Sequence, residues 1–573
     1  MDVLMSVPDL HLGAVSEAYK HNLKVLAQTR AASRLWQKDF SLWPTYGLED
    51  TSRSTALNWL DLADQLETAV KQVLGLASKV SELGLQHIVF LSVSSSTLAA
   101  ELIPALGLPT SGAHFHVLNR LEPLALHRLE SNIDLTRTLF VVASKSGKHL
   151  EVHAVLLYFL AKLKAAGVAS PGAHFVAITE DGSYLASLAV EHGFRAVISE
   201  PHGFSVRFSG VQHYGILLAG FCGLDLRAIL AGIRSVRQEC ALSEPIGQNP
   251  AATIAAFLAA IAQTGFYRLF FRAPPKFTPL LRRIGHLVGC SSSKDAKGIL
   301  PFLDVHIPDP LILEKSFAVC SLNGKETAAL APLQPDTPSI SIDLNNLEDI
   351  PAEIFKWELA VSLACNLLGV NPFEDPDSSD GRASAMRYVA EMSPQQKWAM
   401  SRPRITVGAL SLYVEGDLRH DVSSINLESA LESFLSLCAP DGYCTFLNFL
   451  PDTPEVSQRL KALLNQASLE LRVPAHLAFG PRYLHLIGQC YKGGPRGGIA
   501  LMLTGDSTDR IDVPGAGYTL ADLRLALALG DMDAMVAGNR PIVRLHLAGA
   551  LETSLSELET VLLKALKLHG RIP

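Results

Sequence analysis

Between residues 87 and 201, five short apolar runs alternate with helical stretches, and this pattern constrains the fold more than any other feature of the chain. The runs are HIVFLSVSSS (87–96), GAHFHVLN (112–119), TLFVVASKS (138–146), AHFVAITE (173–180) and RAVISEP (195–201). The stretches 97–106, 121–130, 149–166 and 183–193 between them read as helices. Strands covered on both faces appear in sequence as continuous apolar runs. Alternating strands and helices close most readily as a parallel sheet with helices on both sides.

The same texture returns twice. From about residue 250, AATIAAFLAAIAQ and FTPLLRRIGHLVG read as helices, and YRLFFRAPP, SFAVCSL and SISIDL as strands. EIFKWELAVSLACNLLGV (353–370) is a helix that stops at the Pro- and Asp-rich NPFEDPD. After SRPRITVGALSLYVEG, strands are expected at GYCTFLNFL, AHLAFG, GGIALMLTGD and PIVRLHLAG. Helices are expected at TPEVSQRLKALLNQASLEL and from about residue 555. Ahead of the first sheet, 13–43 and 56–83 read as amphipathic helices. The reading is therefore an N-terminal helical arm (1–50) and three α/β blocks, 51–240, 241–404 and 405–573. A chain of 573 residues is too long for a single core.

Composition narrows the class of partner. The formal net charge is −7 and no Lys/Arg-rich block occurs, which argues against nucleic acid. The eight cysteines are scattered with no CxxC pair and no zinc spacing, so reduced, mostly buried thiols are expected. The stretch GILLAGFCGLDLRAILAG (215–232) carries Asp225 and Arg227 in its middle, so a buried helix is expected rather than a membrane span. MDVLMSVPDLHLGAV lacks the basic start and long apolar core of a signal peptide. A cytoplasmic protein is expected, without membrane association.

In open parallel sheets, ligands bind at the carboxyl ends of strands near helix N-termini. Two polar loops fall there, SVSSST (92–97) and SKSGKH (144–149). Ser144, Ser146 and His149 offer donors, Lys145 and Lys148 positive charge, and Gly147 a close backbone approach, which suits a phosphate monoester. The order is neither that of a P-loop nor that of a dinucleotide fingerprint. The same residues would also serve as a solvated helix cap, and spacing alone leaves both readings open.

TLFVVASKSGKHLEV resembles the phosphate-binding segment of glucose-6-phosphate isomerases, a strand, Ser-Lys-Ser/Thr and a helix bearing a Glu. Four further segments resemble that family in order. HIVFLSVSSSTLAAELI is similar to its sugar-binding turn, and GFSVRFSGVQHYGILLAG to its Gly-Arg-Tyr/Phe-Ser segment. CSSSKDAKGILP is similar to the segment ending in Gly-Lys, and LLGVNPFEDPD to the Asn-Pro-Phe-Asp-Gln-Pro turn. GPRYLHLIGQCYKGGP (480–495) is similar to the C-terminal part of bacterial proteins that fuse transaldolase to this isomerase; the transaldolase half has no counterpart here. The resemblance covers roughly residues 45–570. It implies two sugar-isomerase (SIS) type doubly wound domains and a C-terminal α/β extension. It also implies interconversion of glucose 6-phosphate and fructose 6-phosphate through an enediol, with no metal and no cofactor. A base moves the proton and a cation stabilises the enediolate.

Carried over residue by residue, the resemblance implies that Ser144, Lys145 and Ser146 bind phosphate, with His149 where the family has Thr or Ser. Glu151 matches the helix Glu, and Arg207 the cation of the active site. Three departures follow. Ser94, Ser95 and Ser96 replace a Gly-Gly-Ser turn, which crowds a sugar laid against backbone. Cys290 stands where the family has its catalytic Glu, and Asp375 and Arg382 stand for a Gln and a Lys. A thiol falls roughly 2.5 Å short of a Glu carboxylate, and its reference pKa of about 8.5 leaves little thiolate at pH 7 unless a cation such as Lys294 lowers it. Cys290 is therefore either a substitute base or a small residue where chemistry has been dropped. The second is favoured because two other loops change with it. His485, with Gln489 four residues on, is a loose match to the family's ring-opening His; a hydrogen-bonded structural His is the alternative.

Two functions follow. One is phosphosugar binding with aldose–ketose isomerisation. The other is a catalytically inactive isomerase-like protein that serves as a regulatory or structural subunit. The partners expected are a sugar phosphate and either another protein subunit or a second copy of the chain.

Overall fold

The computed structural model describes residues 8–47, 53, 55–61, 75, 84–93, 96–108, 110, 112–145, 147–200, 205–208, 213–242, 244–303, 317–324, 333, 335–344, 346–391, 402–423, 425–507 and 510–570. It is a mixed α/β protein with three sheets. Most of the expected helix 56–83, together with Ser94, Ser95 and Ser146, lies outside the described residues.

The first element of the described residues is β1 (Asp9–His11), so the N-terminal arm is not helical throughout. Next come β2 (His87–Leu91), β3 (His114–Leu118), β4 (Thr138–Ala143), β5 (Phe175–Glu180) and β6 (Ala196–Glu200). β2 to β6 form the first sheet, all parallel, in the order β3-β2-β4-β5-β6. Central β4 is buried at every residue, which is why TLFVVA shows no polar alternation.

The second sheet takes β7 (Arg268–Arg272), β8 (Leu300–Phe302), β9 (Phe317–Gly324) and β10 (Ser339–Leu344). Its order is β1-β10-β9-β7-β8, parallel except for β1, which adds antiparallel to the edge of β10 with Leu10 opposite Ile340. Two long helices, Pro250–Gln263 and Ile350–Leu368, pack on each other and fill the core that both sheets share. Trp59 and Trp357 are fully buried in it, where truncation to Ala would cost about 3–5 kcal/mol each.

The single buried helix expected at 215–232 is instead two, His213–Phe221 and Leu226–Cys240. The chain breaks at Gly223, with φ +68°. Asp225 then caps the second helix by accepting hydrogen bonds from the Arg227 and Ala228 N–H groups at 2.9 and 3.2 Å. The polar residue that argued against a membrane span is thus a helix start. Among the described residues no helix is long and apolar enough to cross a membrane.

The third sheet is built from β11 (Ile405–Val407), β12 (Leu410–Val414), β13 (Cys444–Asn448), β14 (Ala475–Phe479), β15 (Ile499–Gly505) and β16 (Ile542–Leu547). The order is β11-β12-β16-β15-β13-β14. β13 to β16 are parallel, while β11 and β12 form an antiparallel hairpin at one edge. Helices Leu427–Leu435, Pro454–Leu471 and Leu551–His569 contribute to a separate apolar core with this sheet.

The chain divides into two compact units. The first holds the first two sheets and runs to Asp375; the second holds the third sheet, Arg120–Leu126 and the chain from Pro376 onward. The sequence boundary near 405 therefore falls later than the structural one. The reason is helix Pro376–Glu391, which lies along helix Leu520–Ala537, an element the sequence reading did not identify. The two helices touch backbone to backbone at Gly381 and Gly530, where a Cβ on Gly530 would come within 2.4 Å of the Gly381 carbonyl oxygen.

Candidate functional site

At the carboxyl end of β4 the chain turns sharply before entering helix Leu150–Ala165. Ser144 is buried; its N–H continues the ladder to the Ile178 carbonyl at 3.1 Å. Its hydroxyl oxygen accepts the Gly147 N–H at 3.2 Å and lies 3.2 Å from His149 Nδ1. Gly147 is required here for two reasons. Its φ is +69°, and a Cβ would fall 2.3 Å from the Leu185 nitrogen. His149 occupies the N-cap position in an extended conformation, and its own side chain does not cap the helix. The first-turn N–H groups of that helix are consequently not satisfied by an N-cap side chain.

Lys145 leans on the neighbouring strand. Its ammonium pairs with Glu180, the last residue of β5, at 3.2 Å, and its carbonyl accepts the Thr179 hydroxyl at 2.9 Å. Burial pulls the Lys145 ammonium below its usual range, opposed by the Glu180 and Glu200 carboxylates. Lys148 is exposed. Glu151 is buried in the first turn of the helix. Ser96, which starts helix Ser96–Ala100 at the end of β2, is buried with its hydroxyl 2.9 Å from that of Ser92.

A second cluster forms around Arg207, which sits in the 3-10 turn Val206–Phe208 and is 5% exposed. One of its terminal nitrogens donates to Asp375 and the other to the Pro372 carbonyl at 2.9 Å. Burial works against the Arg207 charge, but the Asp375 carboxylate more than offsets this and pushes the guanidinium further up. The turn that carries Asp375 is itself fixed. Asn371 accepts the Phe373 N–H at 2.9 Å and donates to the Pro44 carbonyl at 2.8 Å. Phe373 packs edge-on against Trp43 and against Phe208. Behind Arg207, the fully buried Arg283 donates to the Arg207 carbonyl at 2.7 Å and to Glu358 at 3.1 Å.

Cys290 falls in the last turn of helix Thr278–Ser292, is 3% exposed and lies within electrostatic reach of Arg207. Lys294 was the cation that could have lowered its pKa. Its ammonium instead donates to the Cys290 and Ser291 carbonyls, both at 2.7 Å, and so caps the helix C-terminus. Burial, reinforced by Arg207, pulls the Lys294 ammonium down. The next two residues, Asp295 and Ala296, both hold left-handed backbone at φ +55° and +59°. All eight cysteines are free thiols, seven of them buried, and burial pushes Cys222, Cys240 and Cys365 up to about 12.

The remaining candidates belong to the second unit. His485 ends the 3-10 turn Arg482–His485, whereas Gln489 lies in the next helix, Gly488–Gly493, so the two do not share a helix face as their spacing suggested. Gln489 is buried and donates to Asp377 at 2.6 Å. Arg382 is exposed on helix Pro376–Glu391. A buried polar knot of this unit is formed by Lys492 and Tyr483 on Asp531, residues that the sequence reading did not single out. Among the described residues no three His, Cys, Asp or Glu side chains are grouped to hold a metal ion.

The ion pair of Arg207 with Asp375 and the pair of Lys145 with Glu180 were not foreseen. Asp375 was visible as an exchange of amide for carboxylate, which is the signal that a nearby cation has acquired a partner. Glu180 gave no such signal, because a polar residue at a strand end is ordinary.

No family model matches the chain. A curated glucose-6-phosphate isomerase of Thermus thermophilus is 31% identical over 182 residues, 32% of this chain and 43% of that protein. The chain thus spans less than half the length of this relative. One from Synechococcus elongatus is 22% identical over 456 residues, covering 68% of this chain and 84% of that protein. Among solved structures, a glucose-6-phosphate isomerase from Chlamydia trachomatis aligns with a TM-score of 0.51 at 14% identity, covering 66% of this chain and 86% of that one. The likeness of fold is to a glucose-6-phosphate isomerase, and over part of its length the chain is similar in sequence to curated glucose-6-phosphate isomerases.

Proposed function

We propose that this chain is a phosphosugar-binding protein of the glucose-6-phosphate isomerase family, with the turn Ser144–His149 holding the phosphate. The observation that carries the reading is the turn itself: a left-handed Gly147 pressed against Leu185, at the start of a helix whose N-cap residue, His149, does not cap it with its own side chain. The positive end of the helix favours an anion. His149 adds a donor beside Ser144, and a charge when protonated. Lys145 would exchange or share its Glu180 contact with the ligand. The reaction implied is aldose–ketose isomerisation of glucose 6-phosphate and fructose 6-phosphate, in the cytoplasm.

A second reading is favoured by a separate observation. Arg207, the cation for an enediolate, already has a carboxylate partner in Asp375, and Cys290 is buried with Lys294 engaged at the backbone. Neither a free cation nor a carboxylate base is supplied by these residues, so turnover is expected to be absent or slow and the role to be regulatory or structural. Thermal shift with fructose 6-phosphate and 6-phosphogluconate tests binding. A coupled assay from fructose 6-phosphate tests turnover. Activity no higher than that of Arg207→Ala removes the isomerase reading, and no shift with either ligand removes the binding reading.

A further inference from the structure

We propose that Asp375 is a specificity determinant: a resident counter-ion of Arg207 that sets this site against ligands carrying negative charge at the sugar end. The inference rests on the reading that the Ser144–His149 turn holds a phosphate and that Arg207 meets the other end of the molecule.

The geometry leaves Arg207 little freedom. Its two terminal nitrogens are spent on Asp375 and on the Pro372 carbonyl, and its backbone is held from behind by Arg283, which is anchored on Glu358. Asp375 is itself carried by a turn fixed through Asn371 and Phe373. The pair is therefore set by the fold rather than by a chance side-chain swing. The Asp375 side chain is 29% exposed and that of Arg207 7%, so an arriving ligand meets the carboxylate more than the cation. Lys294, a further cation of the cluster, directs its ammonium at two helix carbonyls.

A ligand whose sugar end is an aldonate must bring a second carboxylate to a guanidinium that already has one. Like charges sharing a site a few ångströms apart disfavour each other strongly. A neutral aldose or ketose end avoids that repulsion. The site should thus favour ketose and aldose monophosphates over aldonate phosphates, and the charge on Asp375 should be the cause.

Isothermal titration of the full chain and of Asp375→Asn with inorganic phosphate, fructose 6-phosphate and 6-phosphogluconate tests this. In the wild type fructose 6-phosphate is expected to bind more tightly than 6-phosphogluconate. In Asp375→Asn the affinity for 6-phosphogluconate should rise by about tenfold or more, while that for fructose 6-phosphate stays within about twofold. The unliganded variant should melt lower, because Arg207 is left buried without its partner, and 6-phosphogluconate should restore the loss where phosphate does not. If Asp375→Asn does not fold, Asp375→Gln carries the same comparison. An unchanged preference in a folded variant that still binds fructose 6-phosphate overturns the proposal and leaves the phosphate reading standing. If none of the three ligands binds the wild type, the phosphate reading fails and the proposal fails with it.

Discussion

The turn after β4 and the cluster around Arg207 lie in the same compact unit, yet they are held in different ways. The turn is fixed by backbone. Gly147 has a left-handed φ, the Ser144 N–H extends the ladder to β5, and the helix N-terminus is built by the chain itself. The cluster is fixed by side-chain charge: Arg207 on Asp375, Arg283 on Glu358, and Lys294 on the helix end. A backbone device keeps its geometry whatever its neighbours become. A charge device is redirected as soon as one neutral partner is exchanged for a carboxylate. Binding and turnover can therefore part company within one domain.

The sharpest test of the backbone half is Gly147→Val. A left-handed valine driven into the Leu185 backbone should cost about 3 kcal/mol or more and abolish the phosphate-dependent thermal shift. A variant that keeps both would break the comparison. On the charge half, Cys290→Glu alone is expected to give no turnover in the coupled assay and a lower melting temperature, since it buries a carboxylate. Combined with Asp375→Gln, it should give measurable isomerase activity; activity from the single change would show that Arg207 was never withheld. Lys145→Met should weaken phosphosugar binding by about tenfold or more in titration, with little change in melting, because its pair with Glu180 is partly exposed.

A smaller effect is expected from pH. His87 and His116, 3.2 Å apart on β2 and β3, are both held below the ordinary histidine range, by burial first and then by neighbouring histidines. The unfolded chain therefore binds more protons than the sheet once pH falls below about 6.5. Stability should drop through that window and below it, and His116→Asn should flatten the loss by a few degrees in melts at pH 7.5 and 5.5. Arg382→Ala, an exposed change, should stay within about 0.5 kcal/mol in urea unfolding.

The sheets were legible in the sequence because buried parallel strands write themselves as apolar runs. Each of the five runs from 87 to 201 is a strand of the first sheet. Strands that depend on a distant partner were not legible: DLH at 9–11 is a strand only because β10 offers an open edge. The helix 215–232 was misread because apolar content hid the break at Gly223. In the candidate site, residue identities and their grouping at strand ends could be read from motif order. Pairings could not, because Asp375 and Arg207 are far apart in sequence and only the fold decides which carboxylate meets which cation.

The antiparallel addition of β1 has a consequence for how the chain is made. The first sheet is contiguous from 87 to 200 and can close while synthesis is still under way. β1 has its partner at 339–341, and Asn22 just behind it bonds to the Ala256 carbonyl and to Gln263. Until those later residues are made, this segment is therefore an unpaired strand and an unpacked helix, the kind of exposed edge that chaperones guard. Its pairing cannot form until β10 has been made.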